Sequence, residues 1–387
     1  MSLPEPNTAA REQSDALIKR IHASIAESGG EISFAEFMQQ ALYAPGLGYY
    51  SGGLQKFGHT GDFTTAPETS ALFSQCIASQ CAQVLNELGH ADILEAGAGS
   101  GIMAATILME LEQLGSLPDR YYILELSAEL RQRQAETVKL HCPQLFDRVQ
   151  WLDALPLSGF RGVVLGNELI DAMPVQRFVI ENDKVCEQVV ISKGDELCLA
   201  ARPASEELIF AVHKIEIELG EKFPEGYESE INSAGDAWLL SVSDLLETGM
   251  ILLIDYGYPR SEFYHPQRNT GTLMCHYQHR AHPDAMILIG LQDITAHVDF
   301  TALANLAVEK GLSVAGFTTQ ALFLLSLGIE QRVAKLSNEN EQMKAAQEIK
   351  QLVLPSEMGE LFKVIAFTRG ISESLQGFTF QDQRGRL

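Results

Sequence analysis

From Ile93 onward, short apolar runs alternate with segments of helical periodicity, and this alternation leaves few architectures open. Ile93-Leu94 reads as a buried strand, followed by Gly97-Ala98-Gly99-Ser100-Gly101 and an apolar helix over residues 102–114. Residues 121–124, 149–152 and 163–165 are three more strand-like runs, and Ser127 caps the helix after the first of them. The pattern resumes with a helix over 238–246, an apolar strand over 250–254, a helix capped by Asp299, and strands over 313–317 and 362–367. Strands alternating with helices build a parallel sheet covered on both faces. The expected class is α/β, with a mostly parallel, Rossmann-like sheet.

Two stretches depart from that period. Residues 1–88 read as a helical and glycine-rich extension. Ser14 or Asp15 is placed to cap a helix through Leu17, Ile21 and Ile25, and Ser33 with Glu36 forms a capping box before Phe37, Met38 and Leu42. Residues 44–67 are glycine-rich and irregular, longer than the ~12–15 residues usual for a loop without a task. The aromatics Tyr49, Tyr50, Phe57 and Phe63 argue against disorder there. A helix then runs through Leu72, Ile77 and Leu85 to Gly89. After Pro174, strand-like runs at 178–180, 185–191 and 197–201 are separated by Asn182-Asp183 and Gly194-Asp195, pairs that mark hairpins. The expected organisation is an extension (1–88), the first part of the α/β core (89–173), an antiparallel insert (174–235), and the second part of the core with substrate-side loops (236–387).

The turn Glu95-Ala96-Gly97-Ala98-Gly99-Ser100-Gly101 joins a strand to a helix. Glycines let the backbone approach a ligand, and a helix N-terminus attracts an anion. A dinucleotide fingerprint needs G-x-G-x-x-G, but Ile102 stands at the third glycine position, which disfavours an NAD-dependent oxidoreductase. Glu95 would oppose a pyrophosphate yet suits the ammonium of an amino acid. Glu125 ends the next strand, where a carboxylate can accept both ribose hydroxyls, and Asp153 after the third strand could accept from an adenine amino group. Together these features favour S-adenosylmethionine, with Gly97, Ala98, Gly99 and Gly101 lining the turn. The bland alternative is that the glycines only permit close helix packing.

Reacting groups in open α/β sheets lie beyond the carboxyl ends of the strands. Asn167, Glu168 and Asp171 follow the fourth strand, and Tyr256 ends the fifth in Asp255-Tyr256-Gly257. The alternative for the former is a plain helix start, with Asn167 as N-cap and Glu168 as first-turn acid. Thr65, Pro67 and Glu68 precede a helix, either as ordinary helix-start chemistry or as part of a lid, with Thr65 and Pro67 on the cofactor side. His276, His279 and His282 invite a metal reading, but neither helix nor strand puts all three on one face, so no metal is expected.

The chain has 28 Lys+Arg against 51 Asp+Glu, a formal net charge of −23. Without a basic run it lacks the footprint of a nucleic-acid binder, and its field favours cationic partners. Its six cysteines form no C-x-x-C pair, pointing to a reducing compartment. No apolar stretch reaches the ~20 residues of a membrane span, and the polar start has no signal-peptide core. The expected location is cytoplasmic.

These segments resemble the MidA-type S-adenosylmethionine-dependent methyltransferases, a family that includes a mitochondrial complex I assembly factor acting on arginine. The resemblance is carried by Gly48-Tyr49-Tyr50, Phe57-Gly58, Gly61-Asp62-Phe63, Thr65-Ala66-Pro67-Glu68, the glycine turn, residues 167–174, Asp255-Tyr256-Gly257, Gly271-Thr272-Leu273 and His297-Val298-Asp299-Phe300. It implies a class I methyltransferase sheet and a protein substrate with an exposed arginine. Glu168 and Glu68 are the candidates to hold the guanidinium, with Asn167, Asp171 and Tyr256 shaping the pocket. A cofactor-binding assembly factor that docks a partner with little catalysis is the alternative. The oligomeric state is left open, a homodimer included.

Overall fold

Seven apolar runs form the main path of an eight-stranded sheet in the computed structural model, which describes residues 3–52, 65–156, 158–336 and 338–387. They are β1 (Asp92–Ala96), β2 (Tyr121–Leu124), β3 (Val149–Leu152), β4 (Phe160–Asn167), β5 (Leu246–Tyr258), β6 (Ser313–Thr319) and β7 (Phe362–Arg369). The main path of the sheet runs β6-β7-β5-β4-β1-β2-β3. β1 to β5 pair in parallel, and β7 runs antiparallel to both neighbours. The central strands are near-continuous Val, Ile and Leu because both of their faces are covered. Met250, Ile251, Leu252, Leu253 and Ile254 are all buried.

Covering helices include α1 (Ala71–Leu88), α2 (Ile102–Leu114) and α3 (Ala128–His141). Ser70 and Ser127 accept N–H groups of the first turns of α1 and α3, Gly89 at positive φ ends α1, and the left-handed Gly115 closes α2. Phe73, Ile77 and Cys81 of α1 join Ile107 and Leu111 of α2, Val163 of β4 and Leu252 of β5 in one core. Strand order reverses at β1, which lies between β2 and β4. That reversal creates a crevice beyond the strand ends, the usual ligand position in such sheets.

The chain divides into two units. The α/β unit takes Thr64–Ile170, Ala237–Pro259 and Asp299–Leu387, and the other takes Met1–Phe63, Asp171–Asp236 and Arg260–Val298. The first division falls after Phe63 rather than at the expected 88, and Arg260–Val298, expected in the second part of the core, groups with the second unit. Helix α1 belongs to the α/β unit because its apolar face fills that core, and Asp171 begins the stretch that folds with the second unit.

The second unit carries an antiparallel sheet in the order Glu31–Ser33, Lys184–Lys193, Gln176–Glu181, Glu228–Ile231, with Glu196–Pro203 also paired to Lys184–Lys193. Asn182 and Asp183 are both left-handed, which suits a two-residue hairpin matched to strand twist. A smaller sheet holds Met274–Tyr277 between Arg280–His282 and Asp293–Thr295. Ile21, Phe37, Met38, Val190 and Ile294 share this unit's core. Both halves of the Ser33–Glu36 capping box are present.

The first helix (Thr8–Glu27) starts earlier than expected, because Asn7 accepts the Ala10 N–H at 2.9 Å. Ser14 lies on its buried stripe and donates to the Ile289 carbonyl at 2.7 Å. Among the described residues no group of three His, Cys, Asp or Glu could hold a metal ion, and no helix is long and apolar enough to cross a membrane.

Candidate functional site

Three left-handed glycines shape the turn after β1: Gly97 at φ +70°, Gly99 at +53° and Gly101 at +84°. A Cβ on Gly97 would stand 3.1 Å from Leu169 Cδ1, and one on Gly101 would stand 2.9 Å from the Gln134 Cα. The turn is therefore pressed between the segment after β4 and helix α3. Helix α2 begins at Gly101 without a side-chain cap, and buried Ala98 sits within the turn.

Glu95 is 1% exposed, and its carboxylate accepts the Tyr121 hydroxyl at 2.6 Å. Burial pushes it up to about 7, with Tyr121 pulling the other way. The Glu95 carboxylate is thus bonded to a core phenol of β2. Glu125 Oε1 accepts Ser127 N–H at 2.9 Å and Oε2 accepts Gln134 Nε2 at 3.0 Å. Burial raises the Glu125 carboxyl above its ordinary range, opposed by these bonds. Asp153 is 91% exposed and pairs with Arg131 at 2.6 Å. Arg131 also donates to the Glu125 and Leu152 carbonyls, tying the ends of β2 and β3.

Gln134 was not legible as a site residue. It is 0% exposed and touches three of the elements just named. Its only signal in the sequence is a polar residue between Leu130 and Val138 on a buried helical stripe.

The short helix Ala66–Thr69 brings Glu68 to the glycine turn, where its carboxylate accepts the Ser100 hydroxyl. Pro67 is buried in the first turn, and Thr65 precedes it without a side-chain cap bond. The helix-start chemistry and the contact with the turn coexist. Phe57-Gly58 and Gly61-Asp62-Phe63 lie outside the described residues.

The alternative reading of a helix start at Asn167 is not what the chain forms. Asn167 is the last residue of β4, and Glu168 is left-handed at φ +50°. Asp255, 1% exposed, explains why: it accepts Leu169 N–H at 3.2 Å, Ile170 N–H at 2.9 Å and Tyr256 N–H at 2.9 Å. Glu168 N–H reaches the Ile254 carbonyl at 2.9 Å, and Asn167 Nδ2 donates to its carboxylate at 3.1 Å. Asn167 Oδ1 is buried with no hydrogen-bond partner among the described residues. The Tyr256 ring packs against Phe362 with centroids 3.9 Å apart. Asp171 is the exception: it folds in the second unit, where its backbone carbonyl accepts Ala296 N–H at 3.0 Å.

An amino-acid tail and a ribose would find suitable chemistry here. The turn carries three glycines at positive φ, a helix N-terminus follows it, Glu125 is an acceptor at the next strand end, and Asn167 supplies an orphaned buried acceptor.

A family model described as S-adenosyl-L-methionine-dependent methyltransferase matches residues 76–318. A solved structure from Burkholderia thailandensis, determined with S-adenosylhomocysteine bound, is 45% identical, covers 100% of both chains and superposes with a TM-score of 0.94. The mitochondrial protein arginine methyltransferase NDUFAF7 of Danio rerio is 27% identical over 90% of this chain and 86% of its own length. Its Homo sapiens counterpart is 27% identical over 92% and 83%.

Proposed function

The chain belongs to this S-adenosyl-L-methionine-dependent methyltransferase family, and we propose that it methylates a protein side chain, arginine, with Glu168 holding the guanidinium. The observation that carries the reading is the placement of Glu168. A non-glycine residue in the left-handed region is held at the sheet's switch point, and its neighbour Leu169 packs on Gly97. Such a conformation costs about 1 kcal/mol or more and persists only where its surroundings impose it. Here the Asp255 carboxylate and the Ile254 carbonyl impose it.

S-adenosylmethionine, when bound, supplies an activated sulfonium methyl. The turn at 97–101 and Glu125 would hold it, so the remaining task of the protein is to place a nucleophile and exclude water. Glu168 suits a guanidinium because an ionised carboxylate accepts two N–H bonds from it and fixes its plane. One nitrogen is thereby oriented, and the same carboxylate is positioned to take the proton that nitrogen releases. Asn167 aims the carboxylate, and Tyr256 on β5 is held through its N–H by the same Asp255 that holds the turn. Glu68, bonded to Ser100, is the second acid of the site. The arginine named in the zebrafish and human relatives supports this choice, as does the formal charge of −23.

The test is transfer of labelled methyl groups from S-adenosylmethionine into lysate proteins, with the modified residue identified by mass spectrometry. Methylarginine is expected, and Glu168→Gln should lose turnover while keeping its affinity for S-adenosylhomocysteine. Label on another residue type, or a silent lysate, would overturn the arginine reading.

A further inference from the structure

Helix α3 turns Leu130, Gln134 and Val138 inward, so a primary amide occupies the middle of an apolar stripe. Burying an amide costs several kcal/mol unless its groups are bonded. All of them are. Nε2 donates to the Gly99 carbonyl at 3.1 Å and to Glu125 Oε2 at 3.0 Å, and Oε1 accepts the Trp151 indole N–H at 2.9 Å. A carbonyl and an ionised carboxylate only accept, and an indole only donates, so the amide has one possible orientation. The single side chain thereby joins the turn after β1, the turn after β2 and strand β3. The backbone adds to this, since the Gly101 position admits no Cβ against the Gln134 Cα.

We propose that Gln134 is a positioning residue of the cofactor site, locking the glycine turn and the Glu125 carboxylate into one register. The amino-acid tail and the ribose of S-adenosylmethionine then meet surfaces already set at a fixed spacing, and the ordering cost of binding is reduced. The proposal goes beyond the arginine reading and rests only on the cofactor assignment.

The experiment titrates S-adenosylhomocysteine into the purified full chain by calorimetry at pH 5.5 and pH 8, with tryptophan emission and thermal melting as controls. Gln134→Leu removes all three bonds, and its affinity should fall about tenfold or more. Gln134→Glu keeps the shape and the acceptor for Trp151. At pH 8, however, it sets two carboxylates against each other with no donor, so affinity should fall as far. At pH 5.5 a proton shared by the pair restores one donor, and affinity should recover toward wild type. The other charged groups around this network are Arg131, Asp153 and, through Ser100, Glu68. All are common to both proteins, so the difference between the two pH profiles isolates position 134.

Gln134→Leu within twofold of wild type, or a Gln134→Glu profile parallel to wild type, would overturn the proposal. If Gln134→Leu does not fold, Gln134→Glu decides. Loss of fold in both at either pH would make Gln134 a packing element and overturn it equally. Neither result bears on the methylarginine assay, and a silent methylation assay leaves these titrations readable.

Discussion

The Asp255 carboxylate accepts the Ile170 N–H at 2.9 Å across the parallel pairing of β4 and β5. These residues are 85 apart in sequence. The same carboxylate receives Leu169 and Tyr256, so one buried acid holds the turn that carries Glu168. Asp255→Asn replaces one acceptor oxygen by a donor and leaves a backbone N–H facing it. The expected destabilisation is ~1–3 kcal/mol, read by chemical denaturation. Turnover should fall further than affinity for S-adenosylhomocysteine, because the glycine turn keeps its other contacts. Equal losses of both would show that Asp255 serves the fold at large.

Glu95 offers a pH test. Its carboxyl is raised from 4.5 to about 7 by burial, so the folded state holds a proton that the unfolded chain has already released between those values. The stability associated with Glu95 is therefore complete below pH 4.5 and declines as pH rises through 7, by roughly 3 kcal/mol at most. Glu95→Gln does not titrate and keeps an acceptor for Tyr121. The melting temperature of the variant relative to wild type should thus rise between pH 5 and pH 8. A difference that stays constant would mean that Glu95 is ionised in the folded protein throughout.

Two glycines separate conformational strain from crowding. Gly101 and Gly115 bound helix α2 and are both left-handed, at φ +84° and +67°. A Cβ at Gly115 meets nothing within 4 Å, whereas one at Gly101 meets the Gln134 Cα at 2.9 Å. Gly115→Ala should cost about 1–2 kcal/mol and leave cofactor affinity unchanged. Gly101→Ala should cost more and weaken S-adenosylhomocysteine binding at least tenfold, because the turn must move off α3. Calorimetry on the pair checks this, and matching affinities would refute the crowding argument.

Much of the α/β unit was legible because its signals are local. Apolar runs marked the strands, Ser127 and Asp299 cap the helices assigned to them, and the glycine turn lies between β1 and α2. What escaped depends on distant partners. The strand Glu31–Ser33 has three residues and exists because Val189, Val190 and Ile191 pair with it. Asn167 and Glu168 have the composition of a helix start, and only the distant Asp255 converts the segment into a left-handed turn. Gln134 reads as an interruption of an apolar stripe until Gly99, Glu125 and Trp151 are brought to it. Asn7 displaced Ser14 as the first cap because the buried stripe extends back to Ala10, with Ser14 inside it.

Glu168 links strain to function in a way that one substitution separates. Asparagine tolerates the left-handed region better than glutamate does and avoids the entropic cost of glycine. Glu168→Asn should therefore match or exceed the wild-type melting temperature, with a gain of up to about 1 kcal/mol. It should also lose methyl transfer, because its shorter amide carries no charge for a guanidinium and takes no proton. Binding of S-adenosylhomocysteine should persist, since Leu169 still packs on Gly97. The combination of kept stability, kept cofactor affinity and lost turnover is what a residue strained for its chemistry predicts. A variant that melts several degrees lower, or one that still methylates, would show that the backbone at 168 is held for packing alone.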